Sequence, residues 1–221
     1  TDDHPQLFRG IVEDPHVLAT WEEVEHCINF PQFYDIKFIH RDSLEYIQIP
    51  KHQRCWAHDS QDVRDLMQAW VDGHNIIINN FDSGFKKKQE ILKQFEEYFD
   101  ARMALHVYAG YTGCSSFRVH EDTASNFIIQ IEGSTHWTVY KNRCSNIIKP
   151  LDVAQEEFND MIAEMEPAID TMLTPGDMIY IPARCYHQAK PTGKRLSVSI
   201  PMQHMLPHLK PFDRTYYELP H

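Results

Sequence analysis

The 221-residue chain is 42% hydrophobic and 24% charged, ordinary values for a globular domain that exclude disordered, collagen-like and low-complexity architectures. Its 21 Lys+Arg against 32 Asp+Glu give a net charge of −11, a field that opposes phosphate-backbone binding unless a local basic patch exists. Apolar runs such as Ile76-Ile77-Ile78 are short, so neither a membrane span nor a signal-peptide core is expected.

In chain order, Thr20-Trp21-Glu22-Glu23 reads as a capping box before a short helix with Val24, Cys27 and Ile28 on its apolar stripe. Tyr34 to Phe38 and Leu44 to Ile49 alternate with period two and read as strands. Asp62 to Val71 has helical spacing, stopped by Gly73, and His74 to Asn79 reads as a short buried strand. Lys86-Lys87-Lys88 is the best basic run; it opens a mixed-charge helix reaching Phe99 and reads as a solvated face rather than a nucleic-acid patch. Beyond Asp100 the texture turns to strands: Met103 to Tyr108, Phe117 to His120, Asn126 to Ile131, His136 to Tyr140, Met178 to Ile181 and Leu196 to Ile200. Turn signals separate them, and a helical patch at Val153 to Glu164 interrupts. Many short strands predict a sandwich or small barrel.

The five cysteines, Cys27, Cys55, Cys114, Cys144 and Cys185, are odd in number, scattered and without C-x-x-C spacing. Reduced thiols fit this pattern better than a disulfide framework or zinc site, and they point to the cytoplasm, or the nucleus of a eukaryote. Cys114, Ser115 and Ser116 have no adjacent base of the kind a nucleophile needs. Trp137 and Tyr140 read as core or wall, and Tyr216-Tyr217 as packing of the C-terminal tail.

Histidine is the unusual residue, at 14 copies, and the informative segment is His120-Glu121-Asp122. In an extended strand residues i and i+2 share a face, so His120 and Asp122 can hold one cation while Glu121 points away. His187, after the turn and strand Pro175 to Pro182, is placed to be the third ligand. Two histidines and one carboxylate form the facial triad of non-haem Fe(II) oxygenases, which leaves coordination positions open for co-substrate and O2.

From about Gly73 to Met202 the chain resembles the JmjC/cupin-type 2-oxoglutarate oxygenases, above all their asparaginyl-hydroxylase and ribosomal-oxygenase groups. Residues 119–137, Val-His-Glu-Asp-Thr-Ala-Ser-Asn-Phe-Ile-Ile-Gln-Ile-Glu-Gly-Ser-Thr-His-Trp, follow the family pattern H-x-D, N/V-F, Q-x-x-G, then a basic residue and an aromatic. Leu173 to His187 follows L-x-P-G-D-x-x-Y-I-P-x-x-x-x-H. The resemblance implies a mostly β fold with flanking helices: a double-stranded β-helix (jelly-roll or cupin barrel) beside a mixed α/β N-terminal half. As one domain over residues 1–221, it would comprise a helical and mixed buttress at 1–100, a barrel core at 101–202 and a tail at 203–221.

The resemblance further implies Fe(II) on His120, Asp122 and His187, with 2-oxoglutarate and O2 as co-substrates. It places Asn126 beside iron and 2-oxoglutarate, and Tyr108 on a strand that often reaches the co-substrate. Thr135 departs from the pattern, since the family usually has Lys or Arg there to pair with the distal carboxylate, and threonine carries no charge. Candidate replacements are Arg195 on the last barrel strand, Arg118 beside the triad and a protonated His136, with Arg195 favoured. The leading expectation is an Fe(II)/2-oxoglutarate dioxygenase that hydroxylates a C–H bond of a protein, peptide or small molecule, without nucleic-acid or membrane partners. The alternatives are a metal cupin isomerase or dioxygenase that does not use 2-oxoglutarate, and a non-catalytic binding module. Only 34 residues follow His187, with prolines at 201, 207, 211 and 220; no long C-terminal dimerisation helix is expected, and the oligomeric state stays open.

Overall fold

The computed structural model describes residues 4–47, 49, 51–54, 57–144 and 155–204. Its helices are α1 (Trp21–Asn29), α2 (Val63–Val71), α3 (Lys86–Phe99) and α4 (Gln155–Ala163). Its strands are β1 (Gln6–Phe8), β2 (Asp35–Ile39), β3 (Tyr46–Ile47), β4 (Lys51–Arg54), β5 (Ala57–Gln61), β6 (Asn75–Asn79), β7 (Ala101–Met103), β8 (His106–Gly110), β9 (Ser125–Glu132), β10 (Thr135–Arg143), β11 (Pro167–Leu173), β12 (Met178–Ile181), β13 (Cys185–Pro191) and β14 (Arg195–His204). Among the described residues no helix is long and apolar enough to cross a membrane.

The local chemistry sets these elements. Thr20 Oγ1 accepts from the Glu23 amide at 3.3 Å and a Glu23 carboxylate oxygen accepts from the Thr20 amide at 3.0 Å. This reciprocal box, worth about 1 kcal/mol, starts α1. Asp62 caps α2 one way only, its carboxylate accepting from the Arg64 amide.

A nine-stranded antiparallel sheet runs β1-β12-β9-β14-β8-β6-β2-β3, with β7 on β14, and a three-stranded sheet runs β11-β10-β13. The two sheets face each other. Ile128, Ile179 and Ile181 of the large sheet pack against Trp137, Val139, Ile169 and Leu173 of the small one. The opposite face of the large sheet packs Phe127, Ile129, Ile131, Leu196, Val198 and Ile200 against Val24, Leu66, Trp70 and Leu92 of the helices. The result is helices, large sheet and small sheet in three layers, a jelly roll of the cupin kind. With both faces covered, β9 buries residues 126–131 continuously, which is why Phe127 to Ile131 reads as a nearly unbroken apolar run.

Two turns require glycine. Gly133, at φ +72, lets the β9–β10 turn approach the Lys194 carbonyl so closely that a Cβ would sit 1.9 Å from that oxygen. Gly176, at φ +87, lies in the Pro-Gly-Asp turn against the Val12 carbonyl. The Asp177 carboxylate clamps this turn by accepting from the Thr174 and Gly10 amides, both at 2.9 Å, and from Arg9 at 2.7 Å.

Several elements differ from the sequence expectation. Phe117 to His120 is not a strand, because the segment after β8 runs as bends to an isolated bridge at His120. The run Met103 to Tyr108 splits into β7 and β8, since Leu105 turns inward and its amide caps onto Asp82. The strand read at Leu44 to Ile49 shortens to Tyr46–Ile47, with Gln48 outside the described residues. The helix read from Val153 begins, within the described residues, at Gln155. The N-terminal half is more than a buttress: β1, β2, β3 and β6 join the large sheet itself. Lys88 is no solvated face either, because it is buried, pairs with Glu23 at 3.0 Å and donates to the Val17 carbonyl. Cys55 and Tyr216-Tyr217 lie outside the described residues; Cys27, Cys114, Cys144 and Cys185 are buried and form no disulfide among the described residues.

Candidate metal centre

His120 and His187 meet across the mouth between the two sheets. The His120 amide donates to the His187 carbonyl at 3.1 Å and the His187 amide to the His120 carbonyl at 2.8 Å. A few residues away, the Arg184 amide donates to the Asp122 carbonyl at 2.7 Å. These bonds, rather than a regular strand, place His120 and Asp122 beside the start of β13.

Both rings are oriented alike. His120 Nδ1 lies 2.8 Å from the Arg118 carbonyl and His187 Nδ1 lies 2.9 Å from the Cys185 carbonyl. A carbonyl can only accept, so each Nδ1 carries the proton and each Nε2 keeps its lone pair. The candidate ligand atoms of His120, Asp122 and His187 all lie within 4.8 Å of one another, with His187 Nε2 at 3.6 Å from Asp122 Oδ2. Burial, followed by the neighbouring His120, lowers the His187 pKa to about 4 against the pull of Asp122. Its imidazole is therefore neutral at pH 7, the form that ligates metal.

Supporting groups surround the trio. Asn126 Nδ2 donates to Asp122 Oδ2 at 2.7 Å while its Oδ1 accepts from Ser199 Oγ at 3.1 Å. Glu121 turns away, as expected, and pairs with Arg184 at 3.1 Å. Arg184 holds a left-handed backbone at φ +67, a strained conformation for a side chain of this size.

The trio opens into a cavity whose walls include Tyr108, Phe117, Trp137, Arg195, Ser197 and Ser199. Arg195 is 2% exposed. It donates to Ser116 Oγ at 2.5 Å, lies 5.8 Å from the Tyr108 ring centroid, and leaves its Nε without a partner among the described residues. Burial lowers its pKa to about 10, so the guanidinium remains charged at neutral pH. A buried cation with no carboxylate partner among the described residues is a costly arrangement unless an anion joins it. Trp137 Nε1 is likewise buried without a partner among the described residues. Two imidazole lone pairs and a carboxylate fit a non-haem iron, and the buried guanidinium fits the far carboxylate of a small diacid.

Of the sequence-stated candidates, His120, Asp122, His187, Tyr108 and Arg195 converge on this cavity. Asn126 and Thr135 are not among its walls. Asn126 is spent on holding Asp122, and Thr135 is buried with its Oγ1 unpartnered among the described residues. Nor do the other two replacement cations fit: Arg118 is exposed, and His136 points to the outer face, 3.0 Å from Asp170. Ser197 and Ser199 escaped the sequence reading, although the alternation Arg195-x-Ser197-x-Ser199 carried the signal. Arg184 left no sequence signal.

Residues 78–207 match the JmjC domain family. Ribosomal oxygenase 1 of Danio rerio is 31% identical over 113 residues, 50% of this chain and 20% of that protein. The bifunctional lysine-specific demethylase and histidyl-hydroxylase NO66 of Caenorhabditis elegans is 30% identical over 105 residues, 48% of this chain and 14% of that protein. Among solved structures, YcfD of Escherichia coli, described as a ribosomal oxygenase in complex with cobalt and 2-oxoglutarate, has a TM-score of 0.62 at 17% identity, covering 92% of this chain and 49% of its own. The match thus spans a fifth or less of these two curated relatives and about half of the solved neighbour.

Proposed function

The chain belongs to the JmjC-domain family, and on that premise we propose that it is an Fe(II)- and 2-oxoglutarate-dependent hydroxylase acting on a C–H bond of a protein or peptide side chain. The observation that carries this reading is the pairing of a two-histidine, one-aspartate cluster with a buried, carboxylate-free arginine on the walls of one cavity.

His120 and His187, through Nε2, and Asp122 would hold the iron. When bound, iron with 2-oxoglutarate and O2 supplies the oxidising power to hydroxylate a C–H bond, with succinate and CO2 as co-products. The backbone carbonyls of Arg118 and Cys185 keep the Nδ1 protons, so the rings cannot turn their lone pairs away. Arg195 draws in the distal carboxylate of the co-substrate, and Tyr108 flanks it. Phe117, Ile128 and Trp137 exclude water from the wall, while Ser197 and Ser199 keep it narrow and polar. The reading without 2-oxoglutarate drew on the uncharged Thr135; Arg195 supplies a charge inside the cavity and removes that motive.

A protein substrate is supported by the relatives, whose names are ribosomal oxygenase and histidyl-hydroxylase, and the net charge of −11 favours a basic one. The test is anaerobic titration of 2-oxoglutarate into the Fe(II)-loaded protein, followed by succinate assay with protein substrates. A visible charge-transfer band and chelator-sensitive succinate are expected; absence of the band refutes the reading.

A further inference from the structure

We propose that a polar groove lined by Asn80, Arg102, His106 and Gln203 is the binding site for the substrate polypeptide, which reaches the metal centre from the side opposite Arg195. The proposal rests on the hydroxylase reading and adds where, and through which side chains, the substrate is held.

Two strands of the large sheet order the site. Along β14 the cavity-facing residues are Arg195, Ser197 and Ser199, followed by Pro201 and Gln203 in the groove. On β8, Tyr108 faces the cavity and His106 the groove, in register with Ser197 and Ser199 respectively. Asn126 stands in register with Pro201 and bonds both Ser199 and Asp122, which sets the metal trio at the level of Ser199 to Pro201. At about 3.4 Å per residue, Arg195 lies roughly 14–20 Å and Gln203 roughly 7–14 Å from that level, in opposite directions. Arg195 closes one end. A reactant that must share the metal with a co-substrate anchored on Arg195 has the other end as its approach, and the groove occupies it.

The groove is open along one side, so the space of about 1080 Å³ within it takes in solvent, and the chemistry of its walls, rather than its size, identifies the occupant. The lining offers donors. His106 Nδ1 accepts from the Asn80 amide at 3.2 Å, which leaves the proton on Nε2. Burial lowers the His106 pKa, so the ring is a neutral N–H donor at pH 7. Gln203 and Arg102 add further N–H groups. The acidic member, Glu96, already accepts from the Met103 amide at 2.9 Å. A surplus of donors along an open trough fits the carbonyl oxygens of an extended polypeptide.

The test selects a displayed library of random 12-residue peptides on the protein loaded with Co(II) and 2-oxoglutarate. Affinities of the selected peptides are then measured for wild type, Gln203→Trp, Arg102→Glu and, as a remote control on α2, Val71→Trp. Folding is followed by thermal melts, and the Co(II) absorption change on adding 2-oxoglutarate reports the inner site. Expected is a loss of at least tenfold in peptide affinity for the two groove variants, no loss for Val71→Trp, and the same absorption change in all four proteins. Unchanged affinity in both groove variants, or a library that yields no binder while the absorption change is intact, overturns the groove and leaves the hydroxylase reading standing. A wild type whose Co(II) spectrum ignores 2-oxoglutarate overturns the hydroxylase reading and this inference with it.

Discussion

His120 and His187 exchange both of their backbone hydrogen bonds, and each ring donates its Nδ1 proton to the carbonyl two residues before it. Residues 67 positions apart in sequence are thereby made equivalent, with two Nε2 lone pairs offered to one point beside Asp122.

His187→Ala should therefore abolish metal-linked stability. A metal at 100 times its Kd stabilises a fold by about 2.7 kcal/mol. Wild type should melt higher with Co(II) than with EDTA, and the variant should melt identically in both. An equal metal-induced shift in the variant would remove His187 from the ligand set.

Arg195 and Thr135 are separated by a paired test. A hydrogen bond to a charged group contributes about 1.5–3 kcal/mol, so Arg195→Met should weaken 2-oxoglutarate binding about 10- to 100-fold, with Arg195→Lys intermediate. Thr135→Val removes a hydroxyl that has no partner among the described residues and should leave both affinity and melting temperature unchanged or slightly improved. Calorimetric titration decides; equal losses at both positions would place Thr135 on the co-substrate after all.

Asn126→Ala frees one oxygen of Asp122 from its 2.7 Å donor. Loss of an outer partner of a ligand typically costs 10- to 100-fold in metal affinity, measurable by competition against a chromophoric chelator. Ser199→Ala, one bond further out, should cost less.

Asp177 links stability to pH. Burial alone would raise its pKa, but the amides of Thr174 and Gly10 and the Arg9 guanidinium hold it below the usual carboxylate range. A depressed folded pKa stabilises above the unfolded value of about 3.9 and ceases to do so as pH falls through the folded one. Asp177→Asn should cost about 2 kcal/mol at pH 7, and the gap between variant and wild type should begin to narrow only below about pH 4 and shrink as pH falls through the depressed folded value. Denaturant melts at both pH values check the sign.

The three metal candidates were legible in the sequence because H-x-D and a distant histidine carry the donor chemistry itself. The route by which they meet was not. An ideal strand would align His120 with Asp122, whereas bends after β8, one bridge to His187 and the amide of Arg184 do so instead. β13 was overlooked because Cys-Tyr-His-Gln-Ala-Lys-Pro has little β propensity; the cavity demands His187 and Ala189 on its inner face. β11 was overlooked for a different reason: as an edge strand it buries only Ile169 and Leu173, and it opens on a proline. Asn126 was named as a site residue, but which neighbour its amide would meet is a matter of tertiary geometry.

The sheet enclosed by helices on one side and the small sheet on the other has a kinetic corollary. Amide protons of β9 and β14 can reach solvent only when the whole domain opens, whereas the solitary rung joining His120 and His187 can part by itself. Hydrogen exchange should run fast at that rung and slow at its foundations, so a depleted centre can be replenished without the chain refolding.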